Sequence, residues 1–279
     1  MIRTLKEYPS RIWLLDNSGS METNDGEVYV PDKKRYLSCT RWVELKDTVK
    51  FHLKLAVGLE APCVLQLLNP GHEGKQFMSC SNSCYPRIFR QQVSATWRTI
   101  ERSHPQSKRS RTPLTEYIYQ IHARIVDEAD RLCAKGQRIC IILVTDGLPS
   151  DNPYGAHGGP REAFRQALNS LCRLPVWVVV RLATDEETVV EYYNDLDQQV
   201  AYCHVVVLRA WTSISMRAFC TAATNTSNHT THPHPRWTCL WTCWTIGRAR
   251  RAKCTRVTLG SITLSSFTMH ERWACGTQC

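Results

Sequence analysis

Short apolar runs recur along the chain, each followed by turn residues and then by a helical pattern. Ile12–Leu15, Cys63–Leu68, Ile139–Val144 and Val176–Val180 are mostly apolar, and each has the length of a strand buried on both faces. Between them, apolar residues return every three or four positions. Trp42, Leu45, Val49, Leu53 and Ala56 predict one helix, with Gly58 as its stop. Phe89, Val93, Trp97 and Ile100 predict a second, within residues 87–102, whose other face carries Arg87, Arg90, Arg98 and Arg102. Leu114, Ile118, Ile121, Ile125 and Leu132 form a third stripe that ends at Lys135 and Gly136. Pro160 opens a fourth helix with Phe164, Ala167, Leu168 and Leu171 on one face. A capping box at residues 184–187 opens a fifth, with Val189, Tyr193, Leu196 and Val200. Residues 22–38 and 71–86 lack either period and read as loops. The alternation of strand and helix predicts a doubly wound α/β domain with a mainly parallel sheet.

Two of the apolar runs end in chemistry. After Leu15 come Asp16, Ser18 and Ser20, with Asn17 and Gly19 between them to permit a tight turn. After Val144 come Thr145, Asp146 and Gly147. In a sheet of this kind the carboxyl ends of the central strands meet at one crevice, so Asp16 and Asp146 are expected to face each other. Hard oxygen donors of this sort suit Mg²⁺ or Mn²⁺ and suit zinc poorly. Thr112 precedes Pro113 at the start of the third stripe, where its hydroxyl can cap the helix or ligate a metal; Thr115 could also cap.

The order D-x-S-x-S, T-P-L and T-D-G, at residues 16–20, 112–114 and 145–147, resembles the von Willebrand factor type A domain with its metal-ion-dependent adhesion site. The resemblance covers roughly residues 10–200 and implies a Rossmann-like fold of that family. It further implies that Ser18, Ser20 and Thr112 bind Mg²⁺ (or Mn²⁺) directly, while Asp16 and Asp146 hold it directly or through water. One open position would then accept an acidic side chain from a protein partner, so binding rather than catalysis is expected. Two alternatives stand beside it: a Mg²⁺-dependent hydrolase or phosphotransferase using Asp16 and Asp146, and a metal-free scaffold. The chain has no phosphate-cradling Gly-Lys-Ser/Thr loop, and Asp16 is not followed by the second aspartate of phosphoaspartate enzymes.

Composition changes this picture mainly at the C-terminal end. The 279 residues carry a net charge of +10, but residues 201–279 hold nine Arg and Lys against one acid, Glu271. The charge therefore describes the last stretch, and nucleic acid is not the expected partner of the motif-bearing part. That stretch is rich in Thr, Cys, Trp, His and Arg and lacks any helical or strand period. The expected organisation is a lead-in at 1–10, the type A domain at 11–208 (with Cys203–Leu208 as its last strand), and a tail at 209–279 that is disordered or no true domain, such as an out-of-frame or read-through extension. Metal-ligand residue types at His232, His234, Cys239 and Cys243 match no zinc module. No run is long and apolar enough for a signal core or a membrane span, which predicts a cytoplasmic protein. The 14 cysteines, Cys80 and Cys84 among them, are then expected to be reduced thiols.

Overall fold

A computed structural model of the chain describes residues 7–81, 85–106, 111–200 and 206–208. Among these, six strands form one sheet in the order β5-β4-β1-β6-β7-β8. The strands are β1 (Arg11–Leu15), β4 (Cys63–Leu67), β5 (Phe77–Cys80), β6 (Ile139–Thr145), β7 (Val176–Leu182) and β8 (Val206–Leu208). All neighbouring pairs are parallel except β4 with β5. Helices α1 (Arg41–Leu59) and α2 (Pro86–Arg102) cover one face. Helices α3 (Leu114–Val126), α4 (Ala129–Ala134), α5 (Gly159–Leu171) and α6 (Glu187–Gln199) cover the other. This is the doubly wound α/β architecture that the apolar runs predict.

The two faces explain why the strands are continuously apolar. Ile12 and Leu14 of β1 join Ile141, Leu143, Val178 and Val180 in a core with Leu114, Ile118, Phe164 and Tyr193. Their neighbours Trp13 and Leu15 join Leu65, Ile142, Val144 and Val179 in a second core with Trp42, Val49, Phe89 and Ile100. Successive side chains point to opposite faces, and helices wait on both, so no position of β1, β4, β6 or β7 is exposed.

Four local readings need correction. The stretch read as a loop at 22–38 contains an antiparallel hairpin, β2 (Gly26–Val30) with β3 (Arg35–Cys39), closed by a turn in which Lys34 has φ 48°. Its strands are only half-buried, so polar residues mask the two-residue period. The loop at 71–86 likewise holds β5, a four-residue edge strand that pairs with β4. Gly58 lies inside α1, and the helix stops instead at Glu60, which takes the left-handed conformation two residues before Pro62. The third apolar stripe breaks at Asp127 and Glu128 into α3 and α4, with Leu132 still reaching the core.

Cys39, Cys63, Cys80 and Cys140 are thiols, as expected, but Cys172 at the end of α5 is disulfide-bonded. The expectation that every cysteine is a reduced thiol is corrected at that residue. Cys84, the basic residues Lys108 and Arg109, and the whole of 209–279 lie outside the described residues. No helix among the described residues is long and apolar enough to cross a membrane.

Candidate metal centre

Strand order reverses about β1: the chain moves outward through β4 and β5, then returns to β6 on the other side. The gap this leaves at the carboxyl ends of β1 and β6 is where ligands bind in sheets of this class. Asp16 follows β1 and Asp146 follows β6, and the Asp16 amide donates to the Val144 carbonyl at 2.9 Å.

Asp16 is fully buried. One carboxylate oxygen accepts the Ser18 amide at 2.9 Å, and the other accepts the Thr145 hydroxyl at 2.7 Å. Burial, and then the charge of Asp146, push its pKa up to about 6, against the hydrogen bonds from Thr145 and Ser18. From Asp16 the chain enters a 3-10 turn, Gly19–Glu22, in which the Met21 amide donates to the Ser18 carbonyl. This turn, with Met21 buried beneath it, curls the loop. Positive φ is not used at Asn17 or Gly19, so the glycine's freedom is not what shapes it.

The turn brings the predicted oxygens together. Ser18 Oγ lies 3.1 Å from Ser20 Oγ, and the Ser20 hydroxyl donates to Asp146 Oδ1 at 2.8 Å. Adjacent ligands of an octahedral Mg²⁺ with bonds of about 2.1 Å stand about 3.0 Å apart. The two observed spacings bracket that edge, as ordinary O–H···O hydrogen bonds also do, so these oxygens are compatible with the ion. Only two carboxylates contribute, and no group of three or more His, Cys, Asp or Glu suited to a metal occurs among the described residues.

Thr112 stands at the same rim, with Oγ1 4.0 Å from the position a Cβ would take on Gly147. It does not cap α3. Asp151, from the loop after β6, does so: its carboxylate accepts the amides of Thr115 at 3.1 Å and Glu116 at 2.8 Å. Ser150 completes the link by accepting the Thr112 amide at 2.8 Å and donating its own amide to the Thr112 carbonyl at 3.1 Å. The Thr112 hydroxyl is thereby left to the rim. Replacing Asp151 by alanine is expected to lower stability by about 1 kcal/mol, the worth of a good N-cap, as read by thermal unfolding.

Three participants escape a sequence reading. Asn17 is a rivet: its side chain donates to the Asn69 carbonyl at 3.0 Å and accepts the Asn69 amide at 2.8 Å, tying the loops after β1 and β4. Asp151 acts on a helix 36 positions away, which no local pattern reveals. Arg41, the first residue of α1, reaches Asp146 Oδ2 with Nη1 at 2.9 Å, and holds Asp25 with Nε at 2.7 Å and Nη2 at 2.5 Å. Its side chain is 12% exposed, and Asp25 first, then Asp146, raise its pKa against burial. The one available signal was a basic residue in the first turn of a helix, where the dipole disfavours it.

No protein-family model matches the chain, and no curated protein does. Among solved structures it is similar to a point mutant of the PilB minor pilin from Streptococcus sanguinis, with a TM-score of 0.51 and 11% identity over 84% of this chain. The chain spans 62% of that pilin's length. The pilin without the mutation gives a TM-score of 0.47, at 12% identity over 79% of this chain and 61% of its own. The SpRpn10 VWA domain gives 0.41, at 14% identity over 73% of this chain and 89% of that domain. At these identities the similarity is one of fold alone.

Proposed function

We propose that the chain is a binding module that captures an acidic side chain of a protein partner through Mg²⁺. The reading is carried by the Ser18, Ser20 and Asp146 oxygens, which converge at octahedral spacings at the switch point of the sheet. Ser18 and Ser20 would hold the ion from the 3-10 turn, Thr112 from the rim of α3, and Asp16 and Asp146 directly or through water. Bound there with few anionic ligands, Mg²⁺ would stay electrophilic and supply one position for a partner's carboxylate.

The chain's own residues favour binding over catalysis. Both Asp16 oxygens already accept hydrogen bonds, and Asp146 is held between Ser20 and Arg41, so neither carboxylate is placed as a free base or nucleophile. A metal-free scaffold is the second reading, favoured by the Arg41 guanidinium that already neutralises Asp146.

Thermal unfolding of the full chain in EDTA, then with Mg²⁺ or Mn²⁺, separates the two. The binding module predicts a metal-dependent rise in midpoint that the Ser18→Ala, Ser20→Ala double variant loses, because a ligand that binds only the folded state stabilises it. A midpoint indifferent to either ion would sink the metal reading and leave the scaffold.

A further inference from the structure

We propose that Arg41 is an internal competitor for the cation, parked by Asp25, and that it sets the affinity of the site for metal. This rests on the metal reading above and adds a control to it. Asp146 has a fully buried side chain and offers two oxygens: Oδ1 to the Ser20 hydroxyl and Oδ2 to Arg41. A metal drawing on Asp146 and a guanidinium paired with it use the same negative charge, so each weakens the other.

The geometry suits an exchangeable cation. A guanidinium is a planar fork that can serve two carboxylates at once, which a lysine ammonium cannot do with the same geometry. Arg41 uses it in that way, with Nη1 on the buried Asp146 and Nε and Nη2 on Asp25, whose side chain is 47% exposed at the mouth. When Nη1 releases Asp146, the other two nitrogens keep Arg41 anchored, so the arginine need not enter water unpaired.

The backbone fixes this position. The Arg41 amide donates to the Thr23 carbonyl at 3.0 Å, next to the 3-10 turn that carries Ser20. Thr40, not Arg41, caps α1, by accepting the Val43 amide at 3.2 Å. The helix therefore gains nothing from a cation at its first residue, and the carboxylates explain its placement.

The test is calorimetric titration of Mn²⁺ into the EDTA-stripped full chain, wild type against Arg41→Gln and Arg41→Lys, with circular dichroism to verify folding. Arg41→Gln is expected to tighten Mn²⁺ binding at least tenfold and Arg41→Lys about threefold, with the gain lost when Ser18→Ala is added. Binding seen only in Arg41→Gln would support the proposal as well. Wild type and Arg41→Gln binding Mn²⁺ equally would overturn the competitor and leave the metal reading intact. Binding by neither would overturn both. If Arg41→Gln does not fold, Arg41→Lys carries the test, and an unchanged Kd there overturns the proposal.

Discussion

Replacing Arg181 by alanine is expected to lower the unfolding free energy by about 3–5 kcal/mol, the usual cost of removing one partner from a buried ion pair. Arg181 lies on β7 and is 8% exposed. Its Nη2 meets Glu44 Oε1 at 3.1 Å, and Nη1 donates to the Thr48 hydroxyl at 2.7 Å. The other Glu44 oxygen accepts the Glu27 amide at 3.1 Å. One pair thus joins the sheet, α1 and the β2–β3 hairpin. Burial raises the Glu44 carboxyl above its ordinary range even with Arg181 in place, and burial lowers Arg181 likewise. Without the arginine, the Glu27 amide is left to offset that buried carboxylate without a countercharge. Replacing both, Arg181→Met with Glu44→Leu, is expected to cost much less than the single change, because no orphaned charge remains. Urea unfolding of the two single variants and the double variant measures the coupling, and additive losses would count against it.

Asp16→Asn is expected to do the opposite, raising stability by about 2 kcal/mol at pH 7 in EDTA while abolishing the response to Mg²⁺. The folded pKa of Asp16 is raised to about 6, so the folded state binds its proton more tightly than the unfolded chain does. Stability from this group is therefore present in acid and lost as pH rises from about 4 to about 6. The shift is worth about 3 kcal/mol, from which about 1 kcal/mol is removed for the hydrogen bond an amide makes less well. Below about pH 4 the order should reverse, the variant falling below wild type by the roughly 1 kcal/mol of that hydrogen bond. His52 works in the other sense: burial, then the charges of Arg181 and Arg11, hold its pKa down to about 3, so stability falls as pH drops below about 6.5. His52 is common to both proteins, and the difference between their unfolding midpoints across pH 4–7 isolates Asp16. A variant less stable than wild type at pH 7 would show that the hydrogen bonds outweigh the buried charge.

The parts of this fold that could be read from the chain are those whose partners are near in sequence or implied by period. β1, β4, β6 and β7 are apolar because helices cover both faces, and their carboxyl ends carry Asp16 and Asp146 to one crevice by topology alone. β5 and the hairpin were hidden because their strands are short and partly solvated, and a four-residue alternation does not stand out from a loop. Arg181 was invisible because a charge at the end of a valine-rich strand looks like the strand's edge; only Glu44, 137 positions away, makes it internal. The site divides in the same way. Asp16, Ser18 and Ser20 share one turn, whereas Arg41, Asn17 and Asp151 take their roles from residues on other loops.

The stitching of Ser150 and Asp151 to Thr112, Thr115 and Glu116 makes the loop after Asp146 and the first turn of α3 one mechanical body. A helix of 13 residues is about 20 Å long, so α3 is a lever pinned at the rim. Tilting it by about 5° at that pin moves its far end by about 2 Å. That end is Val126, one of the large apolar side chains left exposed. A displacement too small to notice at the rim would be largest at the far end of the helix.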